Sequence, residues 1–261
     1  MKNTLFISDL HLGPECRELI RLFIDFTRRC GGNTRRLYIL GDLFEVWFGD
    51  DAANDLGDSI GQALRDLSNK GIDIAIMHGN RDFLLGSTFA SQAGCRLIDD
   101  PTRIELNGKA VLLSHGDILC IDDVDYQKFR RQVRDPEFQQ HFLSLPIDER
   151  RQQAAAYREQ SRLATSMKAA EIMDVNADAV TRFMRDHDAD ILVHGHTHRP
   201  AVHPATEEHG QRIVLGDWGP GGSVLIHDQR GFELYSFTAA TLDSLTQRLN
   251  GNYSGSQSPA Q

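Results

Sequence analysis

The sequence predicts an α/β fold, and three observations carry that expectation. Five short runs rich in Leu, Ile and Val each stop at a polar cluster. Helical patterns separate several of them. No run approaches the ~18–20 apolar residues that a membrane helix needs, so the apolar runs belong to a packed interior.

The elements follow in chain order. Residues 4–7 form a first strand that stops at Ser8-Asp9-Leu10-His11. From Glu18 to Arg29, Leu19, Leu22, Phe23 and Phe26 take the i, i+3, i+4, i+7 positions of one helix face. Residues 37–40 form a strand that stops at Gly41-Asp42. Ile60, Leu64 and Leu67 mark a second helix. Residues 72–77 run into His78-Gly79-Asn80-Arg81-Asp82, and residues 110–113 into Ser114-His115-Gly116-Asp117. Residues 191–193 end at His194-Gly195-His196-Thr197-His198. Strands alternating with helices pack as helices on a sheet, and ligand groups then collect at the carboxyl ends of the strands. After residue 198, short strands at 212–215, 224–227 and 232–235 predict a mixed or antiparallel closing section.

Residues 122–187 break the alternation. Phe129/Val133 and Phe138/Phe142 are i, i+4 pairs, Pro146 suits a helix start, and Asn176 suits a helix cap. The stretch is expected to be a helical insertion, a lid over the strand ends. Within it, residues 150–170 carry Arg150, Arg151, Arg158, Arg162 and Lys168 against one acid, Glu159. That is either an anion-attracting surface or a solvated helix face. A single domain over 1–250 is expected. Residues 251–261 hold no charge and few apolar groups, and are expected to be a disordered tail.

Composition narrows the function classes. An apolar share of 40% and a charged share of 25% exclude wholesale disorder and a membrane bundle. A net charge of −9 makes a broad nucleic-acid surface a poor expectation. The four cysteines form no C-x-x-C pair, as free thiols of a cytoplasmic protein would not. The apolar stretch at the N-terminus is too short for a signal-peptide core.

The chemistry sits in the polar clusters. Asp9 and His11 are spaced i, i+2, which on an extended strand end points both to one side. Asp42, Asn80 and His115 each follow a strand, and His196 and His198 repeat the i, i+2 spacing. Seven nitrogen and oxygen ligands at five strand ends suit two divalent cations better than one. Imidazole and carboxylate donors without thiolate suit Mn, Fe, Co or Zn. Two such ions need a bridging carboxylate, and Asp42 is the natural candidate. A pair of this kind supplies Lewis-acid activation of a phosphoryl group and a nucleophile near neutral pH.

These blocks carry a family resemblance. D-x-H at 9–11, G-D at 41–42, G-N-x-D at 79–82, H-G-D at 115–117 and G-H-T-H at 195–198 resemble the five blocks of the calcineurin-like metallophosphoesterases. The resemblance implies two packed β-sheets flanked by helices, with a di-metal site at the strand ends. It implies one ion on Asp9, His11, Asp42 and His198, and another on Asp42, Asn80, His115 and His196. Many members place a histidine after the Asn; this chain has Arg81, which can stabilise phosphoryl charge but cannot donate its proton.

The segments at 41–51, 78–86, 115–123, 172–176 and 194–203 are similar to the UDP-2,3-diacylglucosamine pyrophosphatases of the lipid A pathway. That likeness implies hydrolysis by water attack on the α-phosphorus, with UMP and 2,3-diacylglucosamine 1-phosphate as products and Mn as the usual metal. Asp42, Asn80, Arg81 and His196 are the implied catalytic set. Implied substrate contacts are Asn80, Arg81, Asp123, Ser161, Thr165, Lys168 and His196. Thr165 stands where the family pattern has Asn, and its hydroxyl can still donate one hydrogen bond. The insertion would supply an apolar cleft for the acyl chains. A doubly acylated UDP-sugar places the enzyme, expected to be a monomer, peripherally on the cytoplasmic face of the inner membrane.

Two alternatives stand beside this. Another phosphoesterase on the same fold, such as a nucleotidase, would share the metal site. A non-catalytic scaffold could leave gaps in the ligand set, whereas this chain fills all seven positions.

Overall fold

A computed structural model of the chain describes residues 2–166 and 172–251, with side chains for all of these but residues 160–166. The strands are β1 (Asn3–Ile7), β2 (Thr34–Leu40), β3 (Asp73–Met77), β4 (Arg96–Ile98), β5 (Thr102–Leu106), β6 (Lys109–Ser114), β7 (Ile191–His194), β8 (Ala201–His203), β9 (Gln211–Val214), β10 (Gly222–Asp228) and β11 (Gly231–Phe237). The helices are α1 (Arg17–Arg29), α2 (Asp55–Asn69), α3 (Ser87–Ala93), α4 (Val124–Val133), α5 (Pro136–Ser144), α6 (Ile147–Ser166), α7 (Ala177–Asp186) and α8 (Leu242–Leu249).

The strands form two sheets. One has the order β11-β10-β1-β2-β3-β4, and the other β5-β6-β7-β9-β8. Strands β1, β2, β3 and β4 pair in parallel, as do β6, β7 and β9. Antiparallel strands close three of the four sheet edges, with β10 on β1, β11 on β10, β5 on β6 and β8 on β9, and the parallel strand β4 forms the fourth.

Alternation along each strand explains the apolar runs. Phe6, Tyr38, Leu40, Ala75 and Met77 face the second sheet and pack with Val111, Leu113, Ile191 and Val193. Their neighbours Leu5, Ile7, Leu37, Ile39, Ile74 and Ile76 face the other way, against Phe23 and Phe26 of α1, Ile60 and Leu64 of α2, and Leu245 of α8. A parallel strand covered on both faces has no polar face to show, so it reads as a continuous apolar run.

Two features differ from the sequence expectation. The closing strands do not form one section: β9 joins the second sheet, while β10 and β11 complete the first. Within 122–187, α7 packs Val180 and Met184 on Leu112 and Leu192 of the second sheet. It is the crossover between β6 and β7, and belongs to the scaffold. Residues 252–261, the expected tail, lie outside the described residues.

Caps agree with the local chemistry. The Asn176 side chain accepts from Ala179 N–H at the start of α7, and Asp135 accepts from two N–H groups at the start of α5 with Pro136 next in line. Helix α6 starts directly after Pro146.

Candidate metal centre

The loops that leave β1, β2, β3, β6 and β7 meet at one end of the two sheets. Asp9, Asp42 and His115 are buried there. Ligand atoms of Asp9, His11 and His198 lie within 4.8 Å of one another, as do those of Asp9, Asp42 and His115. His11 Nε2 and His115 Nε2 are each 3.8 Å from Asp42 Oδ2, so this carboxylate oxygen stands between both histidines. His198 Nε2 is 3.4 Å from Asp9 Oδ1, and His11 Nε2 is 3.2 Å from His198 Nε2. Asn80 Oδ1 lies 2.9 Å from both His115 Nε2 and His196 Nδ1.

The backbone shows how these groups converge. Asp9, His11, Asp42, His196 and His198 all have φ between 49° and 69°. Such values are uncommon for residues with a Cβ and persist where surrounding structure enforces them. The i, i+2 argument from extended strands therefore fails for both D-x-H and H-T-H. Left-handed turns, not strand alternation, bring those pairs together.

Other groups fix the ligands. Ser8 Oγ and His196 N–H both donate to Asp9 Oδ2, at 2.5 and 2.9 Å. Arg81 N–H donates to Asp42 Oδ1 at 2.8 Å. The Leu40 carbonyl accepts from His115 Nδ1 at 2.9 Å, which leaves Nε2 as the nitrogen that would face an ion once its own proton is displaced. The Asp82 carboxylate accepts from the N–H groups of Leu43 and Gly79, both at 2.8 Å, tying the β2 and β3 loops together. Tyr126 of α4 stacks on the His196 ring, and its hydroxyl donates to Asp117 at 2.6 Å.

Close backbone approach is part of the design. A Cβ on Gly79 would stand 2.0 Å from Asp42 Oδ1 and 2.3 Å from Asp42 N, both far inside contact distance. Gly79→Ala is expected to displace Asp42 and lower turnover at least ~10-fold, even with metal in excess. Unchanged kinetics in that variant would show that Asp42 is free to move without consequence.

The donor set fits divalent cations. Asp9 Oδ1 is buried with no hydrogen-bond partner; His198 Nε2 lies 3.4 Å from it, and His11 Nε2 lies 3.2 Å from that nitrogen. Two buried carboxylates facing three imidazoles are a hard-to-borderline ligand set of the kind Mn, Fe, Co and Zn accept. The protonation states respond to the same crowding. Burial disfavours a charge on His115, but the carboxylates of Asp42, Asp117 and Asp9 outweigh it and raise the imidazole to about 9. Burial likewise opposes ionisation of Asp9, yet the His198 contact and the charge of His115 hold its carboxyl below the usual range. Burial, with His115 beside it, lowers His196 to about 4, so that ring is neutral.

A pH dependence follows. Without metal, His115 carries a proton at pH 7, and an ion must displace it. The raised value means this charge stabilises the metal-free fold fully below pH 6.5 and that the contribution is lost as pH rises through about 9. Metal binding at pH 7 should release protons, and apparent affinity should rise ~10-fold per pH unit for each proton displaced. Calorimetry in two buffers of different ionisation enthalpy measures the release; a buffer-independent heat would refute it.

The remaining predicted residues are placed as follows. Arg81 lies beside the cluster, with Nη1 3.8 Å from Glu45 Oε1. Asp123 caps α4 by accepting from Tyr126 N–H at 3.0 Å. The side chains of Ser161 and Thr165 and the whole of Lys168 lie outside the described residues. The basic surface of 150–170 is thinner than its charge count. Arg150 is buried and clamped on Asp51, Arg151 pairs with Asp148, and Arg158 pairs with Glu45. Arg162 and Lys168 fall among the side chains not described.

Ser8, Glu45, Asp82, Asp117 and Tyr126 support the site and were not assigned roles from sequence. Asp82 and Asp117 stand inside the G-N-x-D and H-G-D blocks, so a signal existed for them. Tyr126 carries none, because nothing in its neighbourhood tells which ring it will meet.

A cleft leads away from Asn80 and Arg81. It spans about 690 Å³ of space, open solvent at its mouth included, between Trp47, Phe83 and Leu84 of the scaffold and Phe129, Phe138, Phe142 and Tyr157 of α4–α6. Its walls are mostly apolar, with Arg81 and Arg158 at the end nearest the cluster.

Comparison with known proteins adds three findings. The calcineurin-like phosphoesterase family profile matches residues 2–200. A protein of Cellvibrio japonicus named UDP-2,3-diacylglucosamine hydrolase is 48% identical over 234 residues, covering 89% of this chain and 98% of that protein. Proteins of the same name from Azotobacter vinelandii and Chromohalobacter salexigens are 47% and 50% identical, covering 90% and 84% of this chain and 98% and 89% of theirs.

Proposed function

The chain belongs to the calcineurin-like phosphoesterase family, and from that premise we propose that it hydrolyses the pyrophosphate of UDP-2,3-diacylglucosamine in lipid A synthesis. One observation carries the choice of substrate: the cleft that opens from Asn80 and Arg81 is walled by aromatic and aliphatic side chains. A small soluble phosphoester needs no such wall. A sugar carrying two acyl chains on one side of a diphosphate needs both a polar end and an apolar one.

Asp9, His11, Asp42 and His198 would hold one divalent cation, and Asp42, Asn80, His115 and His196 the other. Manganese suits the donor set. When bound, the pair supplies Lewis-acid activation of the diphosphate and a nucleophile near neutral pH. The chain's own groups do the rest. Asp42 keeps the two halves of the ligand set in register. Arg81, fixed at its backbone by Asp42, presents its guanidinium to phosphoryl oxygens and adds charge that remains at any working pH. Asn80 turns its carbonyl oxygen to the cluster, which leaves its NH₂ group to donate to substrate. His196, neutral in its half-buried place, completes the far side. Asp123, Ser161, Thr165 and Lys168 would contact the nucleotide sugar. Water attacks the α-phosphorus in line, and UMP and 2,3-diacylglucosamine 1-phosphate leave. Helices α4–α6 act as the lid over the acyl chains.

The exposed apolar residues support a peripheral position on the membrane. Ile121, Val124, Leu143, Ile172 and Val202 are the exposed large hydrophobics among the described residues, and four of these five fall between 121 and 172. No described helix is long and apolar enough to cross a bilayer. Contact would therefore be through these exposed side chains on the inner-membrane surface.

An assay tests the whole proposal. UDP-2,3-diacylglucosamine, UDP-glucose and p-nitrophenyl phosphate are compared with Mn²⁺, in ¹⁸O-water. Cleavage confined to the acylated substrate, with label in UMP, is the expected result. Equal turnover of the simple esters would keep the phosphoesterase and discard the lipid substrate.

A further inference from the structure

Glu45 lies just beyond the β2 loop and is absent from the ligand set. Its carboxylate nevertheless meets three functional groups. Oε2 lies 3.1 Å from His11 Nδ1, on the side of the ring away from the ligand cluster. Oε1 pairs with Nη2 of Arg158 on α6 and lies 3.8 Å from Nη1 of Arg81. Glu45 is only one-fifth exposed, as is His11, so their contact is not a solvated surface pair. Its place is fixed by the backbone: Glu45 N–H donates to the Leu12 carbonyl at 3.1 Å, and Leu12 bridges Phe44 in parallel. The loop that carries His11 and the loop that carries Glu45 are therefore one paired unit.

His11 needs such a partner. Its Nε2 faces His198 and Asp42, so Nδ1 must carry the ring proton whenever Nε2 donates its lone pair. Nδ1 is buried and makes no aligned hydrogen bond. A buried N–H without an acceptor is costly, and Glu45 Oε2 is the acceptor within reach. A carboxylate behind a ligating imidazole fixes its tautomer and ring orientation and raises its basicity.

We propose that Glu45 is a positioning residue of the hydrolytic site, holding the His11 ring through one carboxylate oxygen and Arg158 and Arg81 through the other. The inference rests on the reading of His11 as a metal ligand. It gives Glu45 a second task that no ligand assignment requires. The carboxylate ties α6, one wall of the apolar cleft, to the ligand loop and to the arginine nearest the phosphoryl group. A substrate diphosphate would compete with Glu45 for both guanidinium groups, so the strength of this tie sets part of the cost of substrate binding.

The experiment separates the two tasks. Mn²⁺ binding is measured by calorimetry, and the visible spectrum of the Co²⁺-loaded protein reports ligand geometry. Glu45→Ala is expected to weaken one of two ions by ~10–100-fold, to leave the other unchanged and to alter the Co²⁺ spectrum. Glu45→Gln keeps an oxygen that accepts from Nδ1 but loses the charge that holds the arginines. It should retain metal affinity within ~3-fold while KM changes more than kcat. Glu45→Ala added to His11→Ala should cost no further affinity, since the removed carboxylate has no ring left to hold. Two-ion binding unchanged in Glu45→Ala, with one ion lost in His11→Ala, overturns the proposal and keeps His11 as a ligand. Both ions retained in His11→Ala overturns the ligand assignment and the proposal with it. Glu45→Gln is nearly isosteric, so an unchanged KM there removes the link to the arginines even where the alanine variant fails to fold.

Discussion

Asp42→Ala is expected to lower kcat by at least ~10²-fold at saturating metal. The reason lies in the position of one side chain between two groups. Asp42 is buried, its Oδ2 stands 3.8 Å from both His11 and His115, and its Oδ1 accepts from Arg81 N–H. Alanine removes the bridge between the two halves of the ligand set and frees the backbone of Arg81 in the same step. Neither loss can be offset by more metal, because the spacing of the ions and the aim of the guanidinium are both geometric. His115→Ala should cost a comparable factor through one half of the set alone. Turnover near the wild-type rate in Asp42→Ala, with two ions bound, would show that the bridge lies elsewhere.

Asp82→Ala has the second large effect, and it falls on stability. Asp82 touches none of the ligand atoms. Its carboxylate is buried and accepts from the N–H groups of Leu43 and Gly79 at 2.8 Å, with longer contacts from Asp42 and Phe44 at 3.3 and 3.4 Å. Charge-assisted bonds of this kind contribute ~1.5–3 kcal/mol each, and removing the acceptor leaves buried donors unpaired. The two short bonds alone predict a loss of ~3–6 kcal/mol. Chemical denaturation with the metal removed should show a lower midpoint at an unchanged slope. A loss under ~1 kcal/mol would mean that water replaces the carboxylate at no cost. Turnover should fall as well, because the same bonds hold the loops of Asp42 and Asn80 in register.

Much of this molecule is legible in its residues. Strands β1, β2, β3, β6 and β7 announce themselves because each is covered on both faces and runs apolar through its buried residues. Helices α1 and α2 do so because one apolar stripe meets one sheet face. The edge strands β4, β5 and β8 and the helices α3 and α8 give weaker signals. They are short, and half of each faces solvent, so neither period is sustained long enough to read. The candidate metal ligands are legible because their chemistry is unusual in combination: histidines and aspartates beside glycines, repeatedly, where apolar runs end.

Residue type and order along the chain were enough to name the candidate ligands, since both are local properties. Tertiary structure alone decided which supporting groups serve them. Glu45 reaches His11 across two loops, Tyr126 reaches His196 from α4, and Arg150 leaves a basic run to be buried on Asp51. It also decided how the ligand pairs converge, through left-handed backbone at Asp9, His11, His196 and His198. The physical reason is range. Periodicity and residue type act over a few positions, whereas a salt bridge or a strained φ is settled by what the rest of the fold brings alongside.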